Sequence, residues 1–152
     1  MRNIHLIMRA VLIAVSLTGA AAFAQAPGEK VYVINNTLLR SGAQTIGQVT
    51  QGNILKVADV NDQWLRVDYK QFGTQGWIAR QDTVSLQAAL EQFTSDIQYR
   101  PTPHAYIGRA LIWKDRREMD LALRDLDAAL RLDPRSPSAL HTRGVLWMQQ
   151  KQ

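Results

Sequence analysis

No cysteine occurs in the 152 residues, which excludes a disulfide scaffold, a thiolate metal site, an iron-sulfur centre, a lipid-bearing cysteine and a Cys nucleophile. No apolar run is long enough to span a bilayer. The longest candidate, Ala10 to Ala24, is 15 residues, about 22 Å of helix at 1.5 Å per residue, against a hydrocarbon core of about 30 Å. Histidine is scarce: His5 lies near the start, and His104 and His141 stand alone, with no second histidine or carboxylate at ligand spacing. The GxSxG, HExxH and glycine-rich phosphate-loop patterns do not occur. No catalytic, cofactor-binding or metal-binding set is therefore expected, and the chain reads as a non-enzyme.

What is present begins with a basic start, Arg2 and Arg9, followed by the apolar run Ala10 to Leu17 and the small residues Thr18 to Ala22. Ala22-Phe23-Ala24 places alanine at both positions that a signal peptidase reads, so residues 1–24 are expected to be a signal peptide cleaved after Ala24, with Ala26 the alternative. The remainder is then exported, periplasmic or secreted, and free of the membrane after cleavage. Removing Arg2 and Arg9 reduces the formal charge from +5 to +3, 16 basic residues against 13 acidic.

Beyond this segment the hydrophobic period changes near Ser85. From Lys30 to Val84 short runs rich in Val, Ile, Trp and Tyr are punctuated by Gly42, Gly47, Gly52, Gly73 and Gly76, the pattern of short strands and turns. So few strand residues are too few for a sandwich and suggest a compact barrel. After Ser85 the period is helical. Met119, Ala122, Leu123, Leu126, Ala129 and Leu130 form one stripe ended by Asp133-Pro134, while Asp120, Arg124, Asp127 and Arg131 alternate in sign on the opposite, solvated face. The helical half holds ten basic and eight acidic residues, interleaved, which gives no continuous field for phosphate and argues against nucleic acid as a partner.

The strongest internal signal is a repeat of 34 residues. It pairs Thr102-Pro103 with Ser136-Pro137, Ala105 with Ala139, Tyr106 with Leu140, Arg109 with Arg143, Ala110 with Gly144, and Trp113 with Trp147. Each Thr/Ser-Pro pair starts a helix: the hydroxyl caps a backbone N–H, and proline takes the first helical position where it loses no hydrogen bond. A helix from Leu86 to Gln98 matches the middle helix, Glu118 to Leu132, at an offset of 33.

The stretches TLLRSG (Thr37 to Gly42), QVTQGNILKV (Gln48 to Val57), DQWLRVDY (Asp62 to Tyr69) and GTQGWIAR (Gly73 to Arg80) resemble the bacterial Src homology 3 domain over residues 29–86, with Ala43 where the family usually has proline. The resemblance implies a small five- to six-stranded barrel of the kind found in exported proteins that bind cell-wall peptide or other proteins. Residues 87–152 resemble tetratricopeptide repeats through Tyr106, Ala110, Trp113, Ala122, Leu126, Ala129 and Pro134, one full repeat with a half on each side. Arg117 stands where glycine is common. The expected class is α+β by segregation: a small all-β Src homology 3-like barrel followed by an α-helical tetratricopeptide-type hairpin array.

Two surfaces are candidates for binding protein or peptide. In the barrel, Trp77 is expected in the core, Trp64 either in the core or on a groove, and Tyr69 and Phe72 exposed beside a glycine-containing loop; Trp64, Tyr69 and Phe72 are the candidate contacts. In the array, the concave face falls on His104, Ile107, Leu111, Lys114 and Asp115, then His141, Val145, Met148 and Gln149. Ile107, Leu111, Val145 and Met148 are the expected apolar anchors for a peptide and Lys114 a contact for an acidic group, unless the barrel itself packs on this face. The expected role is a non-catalytic exported adaptor, with a peptidoglycan-binding targeting or regulatory module for a separate cell-wall enzyme as the alternative. Mature protein is expected to begin at Gln25. Intact mass of the exported product checks this, and a mass that retains Met1 refutes it.

Overall fold

The computed structural model describes residues 25–69 and 73–150; the expected signal peptide and Phe72 lie outside them. Among the described residues, seven strands precede four helices. The strands are β1 (Lys30–Val33), β2 (Thr37–Ser41), β3 (Gln44–Val49), β4 (Ile54–Asn61), β5 (Trp64–Tyr69), β6 (Thr74–Ala79) and, after a single 3-10 turn at Arg80–Asp82, β7 (Thr83–Ser85). They form one antiparallel sheet in the order β3-β2-β6-β5-β4-β1-β7. The helices are α1 (Leu86–Tyr99), α2 (Pro103–Asp115), α3 (Met119–Leu132) and α4 (Pro137–Gln150). The protein is thus α+β, with strands and helices segregated along the chain.

Alternation along the strands sends Val31, Val33, Leu39, Val49, Leu55, Val57, Leu65, Val67, Tyr69 and Ile78 into one buried cluster. All of these come from strands, so no helix supplies the cover for that face. The sheet must curl to keep its own inner face dry. Register shifts between Leu39 and Arg40 and between Val57 and Asp59 mark the bulges that allow the bend.

The helix starts follow the hydroxyl signals. Ser85, the last strand residue, is also the N-cap of α1 and accepts from the Ala88 amide at 3.1 Å; Thr102 does the same for α2 from Ala105 at 3.2 Å. Pro103 and Pro137 open α2 and α4. Between α2 and α3, Arg117 adopts a left-handed φ of 64°, the conformation that glycine takes without cost and other residues at about 1–2 kcal/mol.

The apolar stripe of α3 buries Ala122, Leu126 and Ala129 against Ala110 of α2 and Ala139 and Leu146 of α4, with Tyr106 and Trp113 packed around them. A second cluster joins the two halves. Tyr32 points out of the sheet's inner core and meets Phe93 of α1 edge-to-face at 5.3 Å, with Ala89, Ala105 and Ile112 completing the buried set and Ile34, Ile54 and Val84 at its border. Gly108 permits this contact: a Cβ there would lie 2.6 and 2.7 Å from the Cε atoms of the Phe93 ring. Lys30 adds a two-point contact with Asp115 at 2.8 and 2.9 Å, partly exposed and worth under about 1 kcal/mol.

Because Phe93 serves the strand side and the helix side at once, Phe93→Ala is expected to cost about 3–5 kcal/mol and to lower the melting of strand and helix signals together. Circular dichroism and tryptophan fluorescence melts check this. Loss of the helical transition alone would show the halves to be independent.

Candidate functional site

The outward residues of β5 and β6 build an open groove on the sheet. Leu65, Val67 and Tyr69 face inward on β5, so Trp64, Arg66 and Asp68 face outward; on β6, Gly76 and Ile78 face inward and Trp77 outward. Strand register sets Arg66 opposite Trp77 and Trp77 opposite Arg40 of β2, while Asn61 faces Trp64 across the β4–β5 turn. Strand β2 comes this close because position 76 is glycine: a Cβ there would stand 2.6 Å from Leu39 Cγ and 3.1 Å from the Arg40 carbonyl oxygen.

The result is a cleft of about 310 Å³ lined by Arg40, Gly42, Asn61, Trp64 and Trp77. The Arg40 guanidinium lies 5.3 Å from the centre of the Trp64 ring and that of Arg66 lies 5.9 Å from Trp77. Each such stack is worth about 0.5–1 kcal/mol at an exposed site. Arg66 also reaches Asp59 at 3.2 Å. Two half-buried indoles held by two cations make a preformed apolar surface with fixed donors at its rim, suited to an extended chain that brings an apolar side chain and carbonyl or carboxylate acceptors.

Two expectations are corrected here. Trp77 is not in the core; it stands outward on β6, because Ile78 occupies the inward position. Tyr69 is not exposed; it is 5% accessible and belongs to the sheet's inner cluster, carried there by the same alternation that buries Leu65 and Val67. Trp64 is half-buried on the groove, and Phe72 lies outside the described residues. Arg40, Asn61 and Trp77 were not among the expected contacts, although outward parity from Leu65 and Ile78 points to the two tryptophans.

The helical surface is divided. Ile107 and Leu111 line a cavity of about 150 Å³ together with His104, Tyr32, Gln51 and Gly52. The turn between β3 and β4 thus lies over the first of the expected helical contacts: Leu111 Cδ1 is 3.6 Å from where a Cβ on Gly52 would stand. Asp115 of the same face is held by Lys30. Val145, which is half-buried, and Met148, which is 63% exposed, lie on α4 and do not line that cavity; neither does the half-buried Lys114. His104 packs edge-on to Phe93 at 6.0 Å. Among the described residues no helix is long and apolar enough to cross a membrane.

No protein-family model matches the chain. Over 93 residues, 57% of the chain, it is 32% identical to bacteriophage adsorption protein A of Escherichia coli (strain K12). The match covers 9% of that protein, so the chain spans less than a tenth of its relative's length.

Burial of Tyr32, which walls this cavity at 2% exposure, pushes its phenol up to about 12. The raised value means that the neutral phenol stabilises the fold fully below pH 10, and that this contribution drains away as pH rises from about 10 toward 12, roughly 2–3 kcal/mol in all. Tyr32→Phe is expected to flatten that alkaline limb in urea unfolding measured between pH 9 and 12. Equal slopes for the two proteins would refute the assignment.

Proposed function

We propose that the chain is a non-catalytic exported adaptor that captures peptide or protein segments, with the sheet as a Src homology 3-like barrel and the helices as a short tetratricopeptide-type array. The observation that carries this reading is the groove between Trp64 and Trp77, where Arg40 and Arg66 stack on the indoles. An open, aromatic-walled cleft with cationic rims fits an extended segment better than a small substrate.

Two further points support capture over catalysis. The 34-residue repeat pairs the helices into hairpins, and on α4 Val145 and Met148 stay clear of the sheet as apolar contacts for a segment. The relative that shares part of the chain is named for adsorption, a binding event. Because the sheet turn at Gly52 overlies Leu111, the groove on the sheet is the principal site in this reading, and Val145, Met148 and Lys114 are the contacts left on the array.

The test selects peptides from a displayed library on the mature chain and measures them by tryptophan fluorescence, beside co-sedimentation with purified peptidoglycan sacculi. Selected peptides are expected to bind with Kd weakened at least about 30-fold by Trp64→Ala or Trp77→Ala, as for a hot-spot aromatic of about 2 kcal/mol, while the melting temperature stays within a few degrees. Peptide affinity indifferent to both substitutions would overturn the reading. Co-sedimentation lost with the same two substitutions, without peptide binding, would favour a cell-wall targeting module.

A further inference from the structure

The two cations of the sheet groove are not equivalent. Arg66 is committed to the fold: its Nη2 donates to Asp59 Oδ2 at 3.2 Å, its guanidinium lies over Trp77, and its Nε is shut off from solvent without a partner. Arg40 is not committed in this way. It makes no ion pair and no side-chain hydrogen bond with any described residue. Its Cα stands opposite Trp77 of β6, yet its guanidinium lies over Trp64 of β5, 5.3 Å from the ring centre. Strand β6 lies between β2 and β5, so the side chain crosses one strand and carries its charge into the cleft. Stacking occupies the faces of a guanidinium, while its N–H donors lie in the plane and point from the edge. The indole therefore fixes Arg40 and leaves its fork open. Asn61, at the end of β4, also lines the cleft, and its carboxamide likewise makes no hydrogen bond with a described residue.

We propose that the groove selects peptide segments bearing a carboxylate: Arg40 takes that group in a forked pair, an apolar side chain beside it enters between Trp64 and Trp77, and Asn61 takes the adjoining peptide unit. This rests on the capture reading above and narrows it to one ligand chemistry. Arg40 is the one charged residue among the described residues that line the cleft, and the neighbouring Arg66 is already offset by Asp59. One carboxylate cancels the free charge and matches the fork, whereas a phosphate dianion would find a single open cation. The same residue disfavours the wrong ligand. A wholly apolar segment would draw the guanidinium out of water with no acceptor, while an acidic one converts that burial into a charge-assisted pair. An Asp or Glu side chain and a free C-terminus supply the same group, and the two sources are separated by the experiment.

The peptides selected by display are resynthesised with each Asp or Glu replaced in turn by Asn or Gln, and with free and amidated C-termini, then titrated by tryptophan fluorescence. In each peptide one neutralisation is expected to lower affinity at least about tenfold; a side-chain replacement or the amidation, whichever does so, identifies the source. Against the Arg40→Gln protein the acidic peptide and its neutral counterpart should bind equally. Raising salt from about 0.05 to 0.5 M should weaken the acidic peptide only when Arg40 is present. Arg40→Lys should keep part of that salt dependence and lose most of the affinity gain, because an ammonium neither stacks nor forks as a guanidinium does. Position 40 is exposed, so the fold should survive both substitutions, and a thermal melt checks it. Peptides that need Trp64 and Trp77 but tolerate every neutralisation would overturn the carboxylate assignment and leave the capture reading standing. So would a preference for the acid that survives Arg40→Gln. Failure to select any peptide that needs the two tryptophans would overturn both.

Discussion

The ring of Phe93 touches Tyr32 on one side and His104 on another, and presses against the bare Cα of Gly108 on a third. Those four residues come from β1, α1 and α2, so one side chain sets the position of the first helix pair against the sheet. Together with Ala89, Ala105 and Ile112 it covers Tyr32 and the partly buried Ile54 and Val84, an apolar patch on the sheet that would otherwise meet water. The same placement brings Leu111 beneath the turn at Gly52 and Asp115 within reach of Lys30. The coverage of Leu111 is thus a geometric result of this packing, and so is the small cavity beside it.

Much of the architecture is legible without coordinates because the signals are local. The change of period at Ser85, the Thr/Ser-Pro helix starts and the 34-residue repeat each depend on neighbours in sequence, and each corresponds to an observed element. Side-chain facing on the sheet is less legible, for a different reason. Size favours Trp77 for the core and a nearby glycine turn favours exposure of Tyr69, yet strand parity decides the matter: Ile78 inside forces Trp77 out, and Leu65 and Val67 inside draw Tyr69 in. Medium-sized aliphatic residues fill the curled sheet, leaving the indoles for its outer surface. The turn over Leu111 had no local signal, since residues 52 and 111 meet only after both halves have formed.

Charges follow a similar division. Asp120, Arg124, Asp127 and Arg131 are exposed, as alternating signs on one helix face imply. Asp125 is different: it is 5% exposed, inside the apolar stripe, and carries the two hydrogen bonds from Arg109. Hydrogen bonding to Asp125 also holds the Arg109 charge more firmly than water does. Removing Arg109 would strand the Asp125 carboxylate in a dry site, a loss of up to about 3–5 kcal/mol, whereas the exposed pairs contribute little. A carboxylate in the middle of an aliphatic stripe is the sequence mark of such a pair.

Ser85 ends β7 and caps α1, so no linker residue separates the sheet from the helices. A flexible tether would let two binding faces search independently and would reward any ligand with two motifs at moderate spacing. Here the tryptophan groove and α4, the two proposed contact regions, are held at one separation and one relative angle. A bivalent ligand gains avidity from such a scaffold only when the span between its own motifs matches that separation, and the junction at Ser85 therefore acts as a ruler.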